Sequence, residues 1–522
     1  MAKPLQNLSV AAPAFFGLNT QDSPVGMSAN FANVADNCVI DKQGRIGARK
    51  GYNLVTANGA ATLGSSDGIE HIQEFVAYDG TKTIFSMGNL KIFRGTTTLV
   101  ELAFPTGYSC TANNWKTASF TNNLYFFQAG HAPLKYVSGS NALVLVPDSG
   151  STPPPQGDEL LAGFGRLWVT SVLNQDYNIY FSASLNGDNW HASDTGVIDV
   201  TKVWPNGYDS IVALAEHNGF LVVFGKRSII LYSGAALGPA EPTFVLHDTI
   251  EGIGCIARDS VQSTGNDLLF LSNRGVMSLG RLIQEKSLPL RDISKNVRTE
   301  LIDLVQAEFA GGNGHNLRSV YSAREAFYLL TFPTSDIVYC FDVRTPLEDG
   351  SFRATTWSAL NPIALAVLAD DTLYMGIKRT EATEETGIVE YQGYLDGSET
   401  YEMRYVSHPL DFGNSTNLKF LKKFNVTIIG GSGALATLGW AYNYSENYTK
   451  QALIFPFSGT TGYFGLGKFN ISEYSGGVTV NEPKVNTTGS GTEVSVSLET
   501  TVNNFPFSIQ KIDIHATLGR FI

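Results

Sequence analysis

The sequence predicts a mainly β chain, a β-propeller of six or seven blades with a flanking β-sandwich-like platform and few helices. Three observations carry this. Charged residues are only 16% of the 522-residue chain, against a usual ~25%, while 52 Gly, 22 Tyr and 31 Phe favour strands joined by tight turns. A short apolar triplet follows a polar turn seven times between residues 79 and 375. The C-terminal block alternates apolar and polar residues, as half-exposed antiparallel strands do.

Taken in chain order, residues 1–64 begin as a loop-like arm and the start of the platform. They contain a compact charged knot, DKQGRIGARKGY, from Asp41 to Tyr52. The repeat occupies 65–395. Its triplets centre on Ile84, Tyr125, Trp168, Leu221, Leu269, Tyr328 and Tyr374, at intervals of 41, 43, 53, 48, 59 and 46 residues. A four-stranded blade takes about 40–50 residues. Asn, Asp and Gly before each triplet tolerate the positive φ of two-residue hairpin turns. A second apolar strand follows each triplet, at LKIFRG, LKYVSG, IYFSAS, IILYSG, GVMSLG, IVYCFD and GIVEYQ. One blade cannot bury both faces of its sheet, so blades stack around an axis. The longest interval holds a helical insertion near 292–308. Ile293, Val297, Leu301, Leu304 and Val305 share one helical face there, and Asp292 or Ser294 is the expected cap. Residues 396–522 form the C-terminal sandwich, which supplies platform and interface.

The net charge is −12 and the pI about 5.2. A protein that grips nucleic-acid phosphates shows a basic surplus, at least locally. Here the longest basic clusters are the dipeptides Arg49-Lys50 and Lys422-Lys423. Cys38, Cys110, Cys255 and Cys340 have no metal-ligand spacing and read as small buried side chains. The N-terminus is a poor signal peptide, and no run of 18 apolar residues predicts a membrane span.

Catalytic motifs are weak. Gly64 to Gly68 fits G-x-S-x-G, but strand-like residues follow where a helix is required. Gly252 to Ala257 fits G-x-G-x-x-A, again without a following helix. Ser184 to Trp190 approaches the Asp-box hairpin of sialidases, but Ala183 and Leu185 stand where Ser and Asp would tie the turn. Sialidase chemistry also needs three converging arginines; Arg94, Arg166, Arg227 and Arg274 are dispersed. The sequence predicts no catalytic residue, no cofactor and no metal site, hence no enzyme.

Three passages resemble the tail nozzle proteins (tail tubular protein B) of short-tailed bacteriophages. They are GLNTQDSPVGMSANFANVADNCVIDKQGRIGARKGY from Gly17, EGIGCIARDSVQSTGNDLLFLSNRGVMSLG from Glu251, and the ending SIQKIDIHATLGRFI. The resemblance implies a structural virion protein, made in the host cytoplasm and assembled into the tail as a hexameric ring. Its partners would be a tail adaptor ring, tail fibres or spikes, and double-stranded DNA passing through the lumen without sequence recognition. Six copies would place about −70 charges around the axis, and like charge keeps a polyanion from adhering. Arg45, Arg49 and Lys50 are candidate interface cations; the same three also read as a solvated loop. A carbohydrate-binding or sialidase-like propeller and a monomeric interaction platform are the competing readings.

Overall fold

Each predicted triplet becomes the second strand of a blade. Those strands are Lys82–Gly88, Asn123–Phe127, Arg166–Thr170, Phe220–Gly225, Leu268–Ser272, Phe327–Phe332 and Leu373–Ile377. A second strand is covered on both faces by neighbouring blades, so its residues are apolar without alternation; Phe327–Phe332 and Leu268–Ser272 are buried at every position. The turns before them follow the expected chemistry. Thr121-Asn122 and Asn218-Gly219 take positive φ at both central residues (46° and 61°, 50° and 79°), the geometry that matches strand twist in a two-residue hairpin.

This computed structural model describes residues 5–24, 27–63, 67–138, 140, 142–147, 153–204, 207–234, 244–280, 292–312, 314–378, 385–455 and 479–521. Seven sheets succeed one another around a single axis. Blades 1 to 4 span 71–101, 116–145, 159–199 and 211–251; blades 5, 6 and 7 span 262–278, 318–358 and 362–391. Six have four strands, and blade 5 has three among the described residues. The first strands pack in sequence, with the short 3₁₀ helix Arg258–Ser260 mediating between blades 4 and 5, and blade 7 returns to blade 1. The fourth strand of blade 7 is Tyr52–Leu54, which pairs antiparallel with Gly387–Tyr391. The N-terminal segment therefore belongs in part to the propeller. It closes the ring, because an outermost strand donated from the other chain end links first and last blades.

The sandwich is built from both chain ends. In its first sheet Asn417–Gly430 pairs with Phe507–Phe521, which also takes Leu5–Ala11 and Ile46–Ala48. The second sheet orders Phe31–Asp36, Tyr401–Ser407, Val494–Val502, Leu435–Tyr442 and Thr449–Ile454. Phe424, Val426, Ile428 and Ile514 from one sheet share a core with Tyr405, Leu438, Trp440 and Val496 from the other. The second sheet does not stop at the domain edge. Gly17–Leu18 and Phe31–Asp36 pair in parallel with Arg353–Ser358, the outer strand of blade 6, giving one ten-stranded sheet.

Where the N-terminal segment crosses residue 395, no side chain fits. A Cβ on Gly51 would lie 1.9 Å from the Leu395 carbonyl oxygen. Gly51→Ala is expected to destabilise by about 1–3 kcal/mol, the usual cost of overpacking, read as a lower midpoint in chemical denaturation.

The insertion helix is Arg298–Ala310. Ile293, Val297, Leu301 and Val305 are buried and Leu304 packs beside them, so its apolar stripe is the predicted one. The capping expectation fails. Neither Asp292 nor Ser294 caps the helix: Asp292 pairs with Arg298 at 2.5 Å, and the Ser294 hydroxyl accepts the Val276 amide at 3.0 Å. Asp292 thus holds the first residue of the helix, and Ser294 ties the segment before it to blade 5. Cys38, Cys255 and Cys340 are buried and unbridged, and Cys110 is partly buried. No helix among the described residues is long and apolar enough to cross a membrane.

Candidate functional site

The inner strands of a propeller bring distant segments to one axis, and here they deliver charge. Blade 1 contributes His71, blade 2 Lys116, blade 3 Asp158 and Glu159, the turn into blade 5 Arg258 and Asp259, and blade 6 Arg318. Lys116 Nζ lies 3.2 Å from both Glu159 Oε2 and Asp259 Oδ1. Arg258 pairs with Asp158, and with Asp259 at 2.7 Å. Arg318 Nη1 reaches Asp259 Oδ2 at 3.3 Å and also donates to the Leu317 carbonyl at 3.1 Å. Ser319 Oγ donates to the Asp259 carbonyl at 2.8 Å. Above the cluster opens a cavity of about 510 Å³, walled by Gln73, Thr117, Gln262 and Tyr321 among others.

Three cations meet three carboxylates, so the formal charges of the cluster balance. Burial alone would raise the Asp259 carboxyl; Arg258, Lys116 and Arg318 outweigh it and hold it well below the usual range. Burial pushes Glu159 up despite Lys116 and Arg258. Burial also lowers His71 to about 3, so its imidazole is neutral and bonds Thr117 Oγ1 at 2.8 Å. The unfolded chain takes up a proton at His71 near pH 6.5, whereas the folded chain refuses it down to about 3. Stability therefore falls as pH drops from 6.5 toward 3. His71→Gln is expected to remove a slope of up to about 1.4 kcal/mol per pH unit in that window, measured by denaturation at pH 7, 6, 5 and 4.

This arrangement joins blades; its guanidinium groups face protein carboxylates, not an open anion site. The arginines weighed in the sequence stay apart. Arg94 ends the third strand of blade 1, Arg227 and Arg274 stand in turns of blades 4 and 5, and Arg166 begins the second strand of blade 3, buried and bonded to the Ser182 carbonyl at 2.8 Å. Ser184 to Trp190 is a structural hairpin: Trp190 Nε1 donates to the Gly187 carbonyl at 3.0 Å, and Asp188 accepts the Tyr125 hydroxyl of blade 2 at 3.0 Å. Gly252 to Ala257 leads into the 3₁₀ turn Arg258–Ser260, not a nucleotide-binding helix. Positions 64–66 of the G-x-S-x-G stretch lie outside the described residues.

The three candidate interface cations separate. Arg45 closes the hairpin between Cys38–Ile40 and Ile46–Ala48, bound to Asp41 at 2.5 Å. Lys50 pairs with Glu325 of blade 6 at 2.5 Å. Both remain partly exposed at a cavity of about 350 Å³. Arg49 is corrected: its exposure is 0%, so it cannot meet another subunit. Its two Nη atoms lie 2.8 and 2.7 Å from the Asp396 oxygens, Nε donates to Asn37 Oδ1 at 2.8 Å, and the guanidinium lies 4.1 Å from the Tyr401 ring centroid. The axial cluster was missed in the sequence because its members come from five segments. A signal was present: ionisable residues stand at the start of inner strands, at His71, Lys116, Glu159 and Arg318.

No family model matches the chain, and no curated protein does. Solved structures resemble it in outline. YCF48 bound to D1 peptide is 11% identical, with a TM-score of 0.37 over 63% of this chain and 93% of that one. The WD40 propeller domain of Doa1 is 9% identical, with a TM-score of 0.36 over 65% and 96%. An exo-β-1,3-galactanase from Phanerochaete chrysosporium is 11% identical, with a TM-score of 0.25 over 90% and 100%. Likenesses this slight carry no argument about activity or partners. The chain is a β-propeller protein with a fused sandwich, on the evidence of its own strand pairing.

Proposed function

We propose that this chain is a structural subunit of a ring-shaped tail nozzle of a short-tailed bacteriophage, conducting double-stranded DNA and helping to seat fibres or spikes. The observation that carries the reading is the ten-stranded sheet running from blade 6 into the sandwich. Propeller and platform share backbone hydrogen bonds, so force on one passes to the other without a hinge. Interiors packed to crystal-like density are stiff, as a conduit under pressure requires. The three nozzle-like passages and the net charge of −12 support the same reading. The axial charges are neutralised within the subunit, so a DNA path in this reading runs between subunits, not through the propeller axis.

Arg45 and Lys50, partly exposed at the junction of blade 6 and the sandwich, are the remaining interface cations in this reading. The test is hydrodynamic mass of the purified protein with and without portal and adaptor proteins. A ring supports the proposal; hydrolysis or specific capture of a glycan by a monomer would instead favour the carbohydrate reading.

A further inference from the structure

The first sheet of the sandwich carries a lysine face and the groove beside the second sheet is acidic, while the second sheet's own outer charges, Glu402 and Glu499 against Arg404 and Lys450, balance. On the first sheet, Leu421, Phe424, Val426 and Ile428 point inward, leaving Lys423, Asn425, Thr427 and Ile429 on the outer face. Strand register sets out its rows. Asn7, His515, Lys423 and Asn486 lie side by side, and beside them Ser9, Asp513, Asn425 and Lys484. Lys422 is exposed at a bulge in the same strand. Asp513 is bound to Lys511 at 2.8 Å; among the described residues no carboxylate lies within ion-pair distance of Lys422, Lys423 or Lys484. A chain of net charge −12 thus has one sheet face with a lysine surplus.

The second sheet faces the other way. Glu402 and Arg404 point outward between buried Tyr401, Met403 and Tyr405, and Arg404 is bound to Glu499 at 3.2 Å. They line a groove of about 830 Å³ between blades 6 and 7 and the sandwich, with Asp36, Asp336, Glu385 and Glu399 against Lys378. Each outer face also carries exposed aliphatic surface at a cross-strand pair. Leu435 and Ile454, 59% and 81% exposed, stand opposite each other on the second sheet; Val480, 59% exposed, stands opposite Ile429 on the first.

We infer that the lysine face of one copy docks in the acidic groove of a second copy. The inference rests on the ring reading above. Complementary patches on opposite sides of one domain cannot satisfy each other within a subunit. They make a head-to-tail contact, and such contacts close into rings when the rotation per step allows. Charge pairing fixes the register and the aliphatic pairs give the contact a dry part. Nucleic acid fits the lysine face less well. The described face bears no arginine, the residue whose planar fork matches phosphate, and Asp513 stands in the middle of it.

The test uses two charge-reversed full-length proteins. One carries Lys422→Glu, Lys423→Glu and Lys484→Glu; the other carries Glu399→Lys and Glu402→Lys. Unchanged thermal midpoints show that each folds. Each alone is expected to lose the ring species and run as a 56.5 kDa subunit. An equimolar mixture is expected to recover it, because each variant supplies the partner surface the other needs. Wild-type rings should weaken as salt rises through the range where the Debye length shrinks. If wild type forms rings and either variant alone does too, the inference is overturned while the ring stands. If wild type stays monomeric at low salt both alone and with portal and adaptor proteins, inference and ring reading fall together; if it forms a ring only with them, the variants are compared in their presence. A lysine-face variant that loses binding of a 30-base-pair duplex yet keeps its ring also overturns it, assigning the face to nucleic acid.

Discussion

Asp396→Ala is expected to cost about 3–5 kcal/mol of stability, because it leaves a buried guanidinium without its counter-charge. Arg49 is 0% exposed and Asp396 8%, so solvent cannot replace the lost oxygens. The pair holds three segments together. Arg49 follows the sandwich strand Ile46–Ala48, Asp396 follows blade 7, Asn37 is the turn after Phe31–Asp36, and Tyr401 begins a strand of the second sheet. Losing it should loosen the closing strand Tyr52–Leu54 as well, since that strand begins three residues after Arg49. Replacing both partners, as Arg49→Met with Asp396→Leu, should cost less than the single change, since no charge is left unpaired. Denaturation of Arg49→Met, Asp396→Leu and the double completes the cycle. A single-variant cost below 1 kcal/mol would show that the contact is solvated, as surface pairs are.

Asp259→Asn is expected to be comparably damaging, about 3–5 kcal/mol by the same rule, although its shape is nearly conserved. Asp259 is the carboxylate that Lys116, Arg258 and Arg318 all address. Without it three cations share Asp158 and Glu159, and blades 2, 5 and 6 repel at the axis. The pH dependence has a definite sign. The Asp259 carboxyl is held below its unfolded value, so its contribution is present above the unfolded pKa and disappears as pH falls through the folded one. Wild type and Asp259→Asn should therefore differ by a constant amount above about pH 4 and converge as pH falls below it. Stability curves that stay parallel below about pH 4 would contradict the account.

What the sequence revealed was local. The turn-plus-triplet repeat located the second and third strands of all seven blades, because hairpin chemistry and full burial leave their mark within ten residues. The apolar stripe of Arg298–Ala310 was legible for the same reason. Pairings between chain ends left no such mark. Leu5 opposite Thr517 and Tyr52 opposite Tyr391 depend on partners hundreds of residues away. Arg49 sits in the charged knot DKQGRIGARKGY, so its local sequence reads as surface; its burial is decided by Asp396, 347 residues on. The helix caps misled because Asp292 and Ser294 have better partners in Arg298 and Val276. The axial cluster left only a faint mark for a third reason: single charges at blade starts acquire meaning only when the ring closes.

The most direct test of the central claim is a native mass and particle image of the purified protein, alone and with the portal and adaptor proteins that the proposal names. The account predicts a hollow ring, about 340 kDa if six 56.5 kDa subunits close it. Solitary 56.5 kDa particles without a hollow axis, in both conditions, would contradict it.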